Sequence, residues 1–193
     1  MDRPSLVIPG PGDALLVVDV QNDFLPGGAL AVPRGDAVLP VLARWIDRFV
    51  RAGQPVFASR DWHPPDHCSF QAQGGPWPPH CIAGTPGAAF ALALPGDAVI
   101  VSKAQRAGEE AYSAFGGTDL AAGLRERGVR RLFVGGLATD YCVLHTVRDA
   151  LAEGFAVLLL EAAVRPVEVH AGDGAAALAA MRERGASILA EAH

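Results

Sequence analysis

Six apolar runs punctuate the chain, at residues 14–20, 55–60, 98–103, 131–135, 156–161 and 186–190. Most are continuous rather than alternating, which is the pattern of strands covered on both faces of a parallel sheet. Helical periodicity falls between several of them. Val38, Leu42, Trp45, Ile46 and Phe49 share one helix face, and Gly53 supplies the stop. Leu120 and Leu124 followed by Gly128 predict a second helix. Val143, Val147, Ala150 and Leu151 predict a third, and the alanine-rich stretch 174–184 a fourth. Strands alternating with helices predict an α/β fold: a doubly wound, six-stranded, mainly parallel sheet with helices on both faces. No repeat or linker interrupts the pattern, so residues 1–193 read as one domain. The exception is 61–95, rich in Gly, Pro, His and Trp. A loop of that length inside a compact domain usually carries function.

Composition narrows the class. Half of the 193 residues are hydrophobic and 19% are charged, which suits a large core and argues against disorder. The net charge of -5, with no basic cluster, argues against nucleic acid and anionic membranes as partners. No apolar run reaches the length of a membrane span, and residues 1–12 lack a basic-then-apolar signal pattern. Three cysteines, an odd number, fit a reducing cytoplasm better than a disulfide framework. No Gly-x-Gly-x-x-Gly follows the first strand and no Walker motif occurs, so a dinucleotide or nucleoside triphosphate has no support. Assembly into a homo-oligomer is left open.

The chemistry gathers at strand ends, where ligands bind in open α/β sheets. Asp19 closes the first run, Asp61 follows the second, Lys103 closes the third and Cys142 follows the fourth. A sheet ordered 3-2-1-4 places its switch point between strands one and four, so Asp19 and Cys142 face each other with Lys103 nearby. A thiol at a strand-to-helix crossover lies near the positive end of the helix dipole, which favours thiolate. Asp19 then takes the thiol proton and returns it to a leaving amine, and Lys103 favours both anions. Each residue has an ordinary reading as well: a buried structural cysteine, a turn aspartate, a surface lysine. Their joint placement favours a site. In the long loop, Asp61, His63 and His80 form a carboxylate-plus-two-imidazole set suited to Zn²⁺ first, or to Fe²⁺ or Mn²⁺. The rivals are a Cys/His zinc site or a bridge using Cys68 and Cys81, each of which follows a histidine. His145 and His170 read as ordinary surface histidines.

Six pieces carry a resemblance: 19–24 (Asp-Val-Gln-Asn-Asp-Phe), 61–64 (Asp-Trp-His-Pro), 77–81 (Trp-Pro-Pro-His-Cys), Lys103, 111–115 (Ala-Tyr-Ser-Ala-Phe) and 136–143 (Gly-Leu-Ala-Thr-Asp-Tyr-Cys-Val). The chain resembles the nicotinamidases (pyrazinamidases) within the isochorismatase-like cysteine hydrolases. The resemblance implies that fold, an Asp19–Lys103–Cys142 triad and a metal held by Asp61, His63 and His80 against a pyridine nitrogen. His67 is a ligand in some family members and not in others. It further implies an oxyanion hole of the Ala138 and Cys142 amides, with a cis peptide between Leu137 and Ala138. Phe24, Trp77 and Tyr112 would pack against the ring of a small aromatic amide, nicotinamide first and pyrazinamide also, in NAD salvage. Ala104 stands where many relatives carry Gly. Two alternatives remain: a cysteine hydrolase of the same fold acting on carbamoyl, ureido or isochorismate-like substrates, and a catalytically silent metal- or ligand-binding protein.

Overall fold

The computed structural model describes residues 7–190. Part of the expectation for residues 1–12 therefore lies outside the described residues. Six strands form one sheet: β1 (Asp13–Val18), β2 (Val56–Asp61), β3 (Val99–Lys103), β4 (Arg131–Leu137), β5 (Ala156–Arg165) and β6 (Ser187–Leu189), in the order β3-β2-β1-β4-β5-β6. Every pairing is parallel, where the sequence predicts a mainly parallel sheet. The helices are α1 (Leu39–Arg51), α2 (Leu120–Glu126), α3 (Leu144–Ala152) and α4 (Asp173–Glu183). None is long and apolar enough to cross a membrane.

Strand β1 shows why the runs are continuous. All six of its residues are buried, and alternate side chains enter different cores. Leu15 and Val17 join Leu42, Trp45 and Phe49 of α1. Ala14, Leu16 and Val18 join Leu120 and Leu124 of α2, Val147 and Ala150 of α3 and Met181 of α4. With both faces dry there is no place for a polar alternation. Burying a large apolar side chain in this way contributes about 1.5–3 kcal/mol. Gly53 and Gly128 follow the first two helices at φ 63° and 67°, in the left-handed conformation expected of such stops.

Two irregularities shape the switch point between β1 and β4. The β4–β5 register shifts between Val134 and Gly136, and β5 runs on to Arg165, beyond the predicted end. Gly136 has φ 133°, and a Cβ there would lie 2.0 Å from the Val18 carbonyl oxygen. Only glycine lets β4 pass β1 this closely just before Asp19. After Leu137 a cis peptide leads to Ala138, as the resemblance implies. A single wide turn of π-helix at Thr139–Val143 then precedes α3, so Cys142 sits on that turn and not on the regular helix.

Candidate active site

The long loop holds short 3-10 turns and little else, yet it is tied down by its polar residues. Gln21, just past β1, is fully buried. Its Nε2 donates to the carbonyls of Asp61 (2.8 Å) and Ala88 (2.9 Å), and its Oε1 accepts from the Asp61 amide (2.8 Å). Asp23 Oδ2 accepts from the Cys81 amide at 2.8 Å. These bonds carry the loop back over the carboxyl ends of β1 and β2, beside Asp19 and Cys142.

Lys103 is the hub. It is 1% exposed, which rules out a surface lysine. Its Nζ donates to Asp61 Oδ1 and to the Ala111 carbonyl (2.9 Å). It also lies 3.0 Å from Asp19 Oδ2 and 3.6 Å from Cys142 Sγ. Burial works against its charge, but Asp19 and Asp61 outweigh burial and hold its pKa well above the ordinary range. Ser59 Oγ, fully buried on β2, donates to Asp19 Oδ1 at 2.7 Å, while the Asp19 amide donates to the Ser59 carbonyl at 3.1 Å. Asp19 has φ 49°, a left-handed conformation that aspartate tolerates better than most residues.

The thiol departs from expectation. Burial pushes the Cys142 pKa well above its usual value, with Asp19 and Asp61 adding to the rise; Lys103 opposes it without prevailing. Burial also raises Asp19, although Lys103 and Ser59 pull it down. Burial therefore favours the protonated form of both Asp19 and Cys142 in this dry site.

Asp61 faces two ways. Burial raises its pKa, but the Lys103 ammonium overcomes that and leaves it well below the usual range. Its Oδ2 lies 3.7 Å from His63 Nε2 and 4.0 Å from His80 Nε2. His63 Nδ1 points at the Ala104 carbonyl (3.2 Å) and His80 Nδ1 at the Pro78 carbonyl (2.8 Å). A carbonyl can only accept, so both rings carry their proton on Nδ1 and present an Nε2 lone pair to Asp61 Oδ2. Three buried donors converging in this way fit a divalent metal. His67 is committed elsewhere: its Nδ1 bonds Ser69 and its Nε2 faces the Glu109 carbonyl at 3.0 Å, while its ring stacks on His63 at 4.1 Å. Cys68 and Cys81 are free thiols, so the Cys68–Cys81 bridge does not form. Cys81 packs in the apolar core on the α1 face, and burial drives its pKa far up.

A pocket with about 460 Å³ of empty space, its mouth included, opens onto these groups. Asp61, His63, His80, Ala138 and Cys142 lie on it with Phe24, Trp77 and Tyr112, so every aromatic residue expected there is present. Trp77 Nε1 donates to the Tyr112 hydroxyl at 3.1 Å. The sequence reading missed Tyr141, whose ring meets Trp77 edge-on at 5.1 Å, and also Leu30, Val32, Glu110 and Val167. Tyr141 lay beside Cys142 and was legible; Val167 comes from a loop far along the chain. Asp140 brings it in by accepting from the amides of Val167 and Glu168, both at 2.9 Å. His145 is half-buried against the Tyr112 ring at 5.3 Å, not an ordinary surface histidine.

Residues 13–192 match the family model described as the isochorismatase domain. The chain belongs to the isochorismatase family. Within it, the nicotinamidase of Escherichia coli (strain K12) is 39% identical, with 92% of this chain and 94% of that one covered. The pyrazinamidase of Pyrococcus horikoshii, solved in complex with zinc, is 50% identical at a TM-score of 0.91, covering 94% of this chain and 100% of that one. PnC1 from L. infantum, solved in complex with nicotinate, is 35% identical at a TM-score of 0.84, with 95% of each chain covered. In this isochorismatase-family chain, Ala104 has φ 52°, a conformation that suits glycine, and its carbonyl faces His63 Nδ1.

Proposed function

We propose that the protein is a metal-containing cysteine amidase that hydrolyses nicotinamide to nicotinic acid and ammonia, with pyrazinamide as a second substrate. The observation that carries this reading is the Lys103 contact set. One buried ammonium touches Asp19, Asp61 and Cys142 beneath an aromatic-walled pocket that also exposes two imidazoles. The relatives named nicotinamidase and pyrazinamidase support the substrate class.

Cys142 Sγ attacks the amide carbonyl while its proton passes to Asp19, whose raised pKa suits it to hold one. The amides of Ala138 and Cys142 stabilise the tetrahedral oxyanion. Asp19 returns the proton to the departing nitrogen, the C–N bond breaks, and ammonia leaves a thioester. Asp19 then takes a proton from water, the resulting hydroxide cleaves the thioester, and the proton goes back to sulfur. Lys103 stays charged throughout and balances whichever of Asp19 or Cys142 is anionic. Asp61, His63 and His80 would hold the metal, with Zn²⁺ favoured over Fe²⁺ or Mn²⁺. When bound, such an ion supplies a Lewis-acidic position for a ring nitrogen. Phe24, Trp77, Tyr112 and Tyr141 hold the ring flat. Three free thiols suit a reducing cytoplasm.

The test is ammonia release from nicotinamide, pyrazinamide and benzamide by the metal-loaded protein. Nicotinamide is expected to exceed benzamide by several kcal/mol in transition-state binding, because benzamide leaves the ring-nitrogen partner unpaired. Benzamide matching nicotinamide in kcat/KM would reject the metal-to-nitrogen contact. No ammonia from either substrate, beside a folded protein, would reject the amidase.

A further inference from the structure

Lys103 is caged by electron-pair donors. Around Nζ stand Asp19 Oδ2 at 3.0 Å, Asp61 Oδ1 in a closer contact, the Ala111 carbonyl at 2.9 Å and Cys142 Sγ at 3.6 Å. The donor atoms of Asp19, Asp61 and Cys142 lie within 4.8 Å of one another, and all three residues are buried. Two of the Nζ protons serve Asp61 and Ala111, which leaves the third between Asp19 and Cys142. Asp19 Oδ2 accordingly accepts no aligned hydrogen bond although it is wholly buried. Two carboxylates, a carbonyl and a thiol would bind a thiophilic divalent ion if the ammonium were absent.

Asp61 joins this cage to the other candidate ion position. Its Oδ2 faces His63 and His80, while its Oδ1 faces Lys103. A carboxylate used on both sides is how two-metal hydrolases hold ions about 3.5–4 Å apart. We propose that the Lys103 ammonium holds the second cation position of a two-cation centre bridged by Asp61, and so keeps divalent metal off the Cys142 sulfur. The inference rests on the reading of Asp61, His63 and His80 as a metal site. The chemical advantage is specific. An ammonium supplies positive charge and N–H donors but no empty orbital, so the sulfur keeps its lone pairs for the substrate carbonyl. A zinc ion in the same place would bind the thiolate directly. It would also hold the proton-accepting oxygen of Asp19.

The experiment compares wild type, Lys103→Met and the double variant Asp19→Asn/Lys103→Met after incubation with excess Zn²⁺ and desalting. Metal is counted by elemental analysis, and iodoacetamide labelling of Cys142 is followed by peptide mass with and without Zn²⁺. Wild type should retain one ion, and its labelling should change less than about twofold with Zn²⁺. Lys103→Met should retain two ions, with Cys142 labelling slowed about tenfold or more by Zn²⁺. The double variant should return to one ion. Methionine leaves two buried carboxylates without their cation, so Lys103→Met is also prepared from zinc-supplemented cells. Recovery of folded protein only with zinc, carrying two ions, supports the proposal, and insolubility with zinc as without it counts against it. A single ion in folded Lys103→Met overturns it. So does zinc protection of Cys142 in wild type, a measurement that needs no variant. Wild type retaining no ion would instead remove the Asp61–His63–His80 site beneath it.

Discussion

Strand β4 carries two buried regions that could hardly differ more. At its middle, Phe133 packs against Trp45 and Phe49 with ring centroids 5.4 and 5.1 Å apart, and none of these side chains is more than 1% exposed. Past its end, Cys142 meets Asp19, Asp61 and Lys103, which are also buried. The aromatic cluster gains free energy from leaving water. The charged cluster loses hydration and recovers it only through pairing, so it contributes little net stability. Burial drives folding in one place and tunes protons in the other. In the second it raises Asp19 and Cys142 together and makes every charge there depend on Lys103.

The sharpest separation of the two regions is Cys142→Ala. Ammonia release should fall by about a thousandfold or more, with the circular dichroism spectrum and melting temperature close to wild type. Turnover within tenfold of wild type would show that the polar cluster is structural like the aromatic one. Asp19→Asn comes next. It should lower kcat by about 10²–10⁴-fold through loss of proton transfer. Yet it should move the pH midpoint of Cys142 alkylation downward, because the Asp19 charge raises the thiol. An upward shift would contradict the electrostatic coupling of Asp19 to the thiol. Phe133→Ala should reverse the pattern, costing about 3–5 kcal/mol of unfolding free energy while activity per folded molecule holds. Ser59→Ala removes only the hydrogen bond to Asp19 Oδ1, a loss expected to lower kcat about tenfold with little change in KM. Ser59→Thr, which restores the hydroxyl, should recover most of it. The smallest effect belongs to Ala104→Gly. Relief of the left-handed alanine and the added freedom of glycine in the unfolded chain oppose each other, for a net change below about 1 kcal/mol in denaturant unfolding.

By itself the sequence determined the elements. The continuous apolar runs and the 3.6-residue periods located six strands and four helices to within a few residues, because local burial pattern follows directly from residue type. Residue type and place in the chain also marked Asp19, Asp61, Lys103 and Cys142, since strand ends in an α/β fold collect ligands. The His63 and His80 pair was equally legible. Only the tertiary structure decided the electrostatics. The depth of Cys142, which reverses the pKa expected from the helix turn, depends on packing by strands distant in sequence. So does the left-handed Ala104 carbonyl that fixes the His63 tautomer, and so does the Asp140 bond that delivers Val167 to the pocket. Charge, desolvation and tautomer depend on distances among residues far apart in the chain, and no local period encodes those distances.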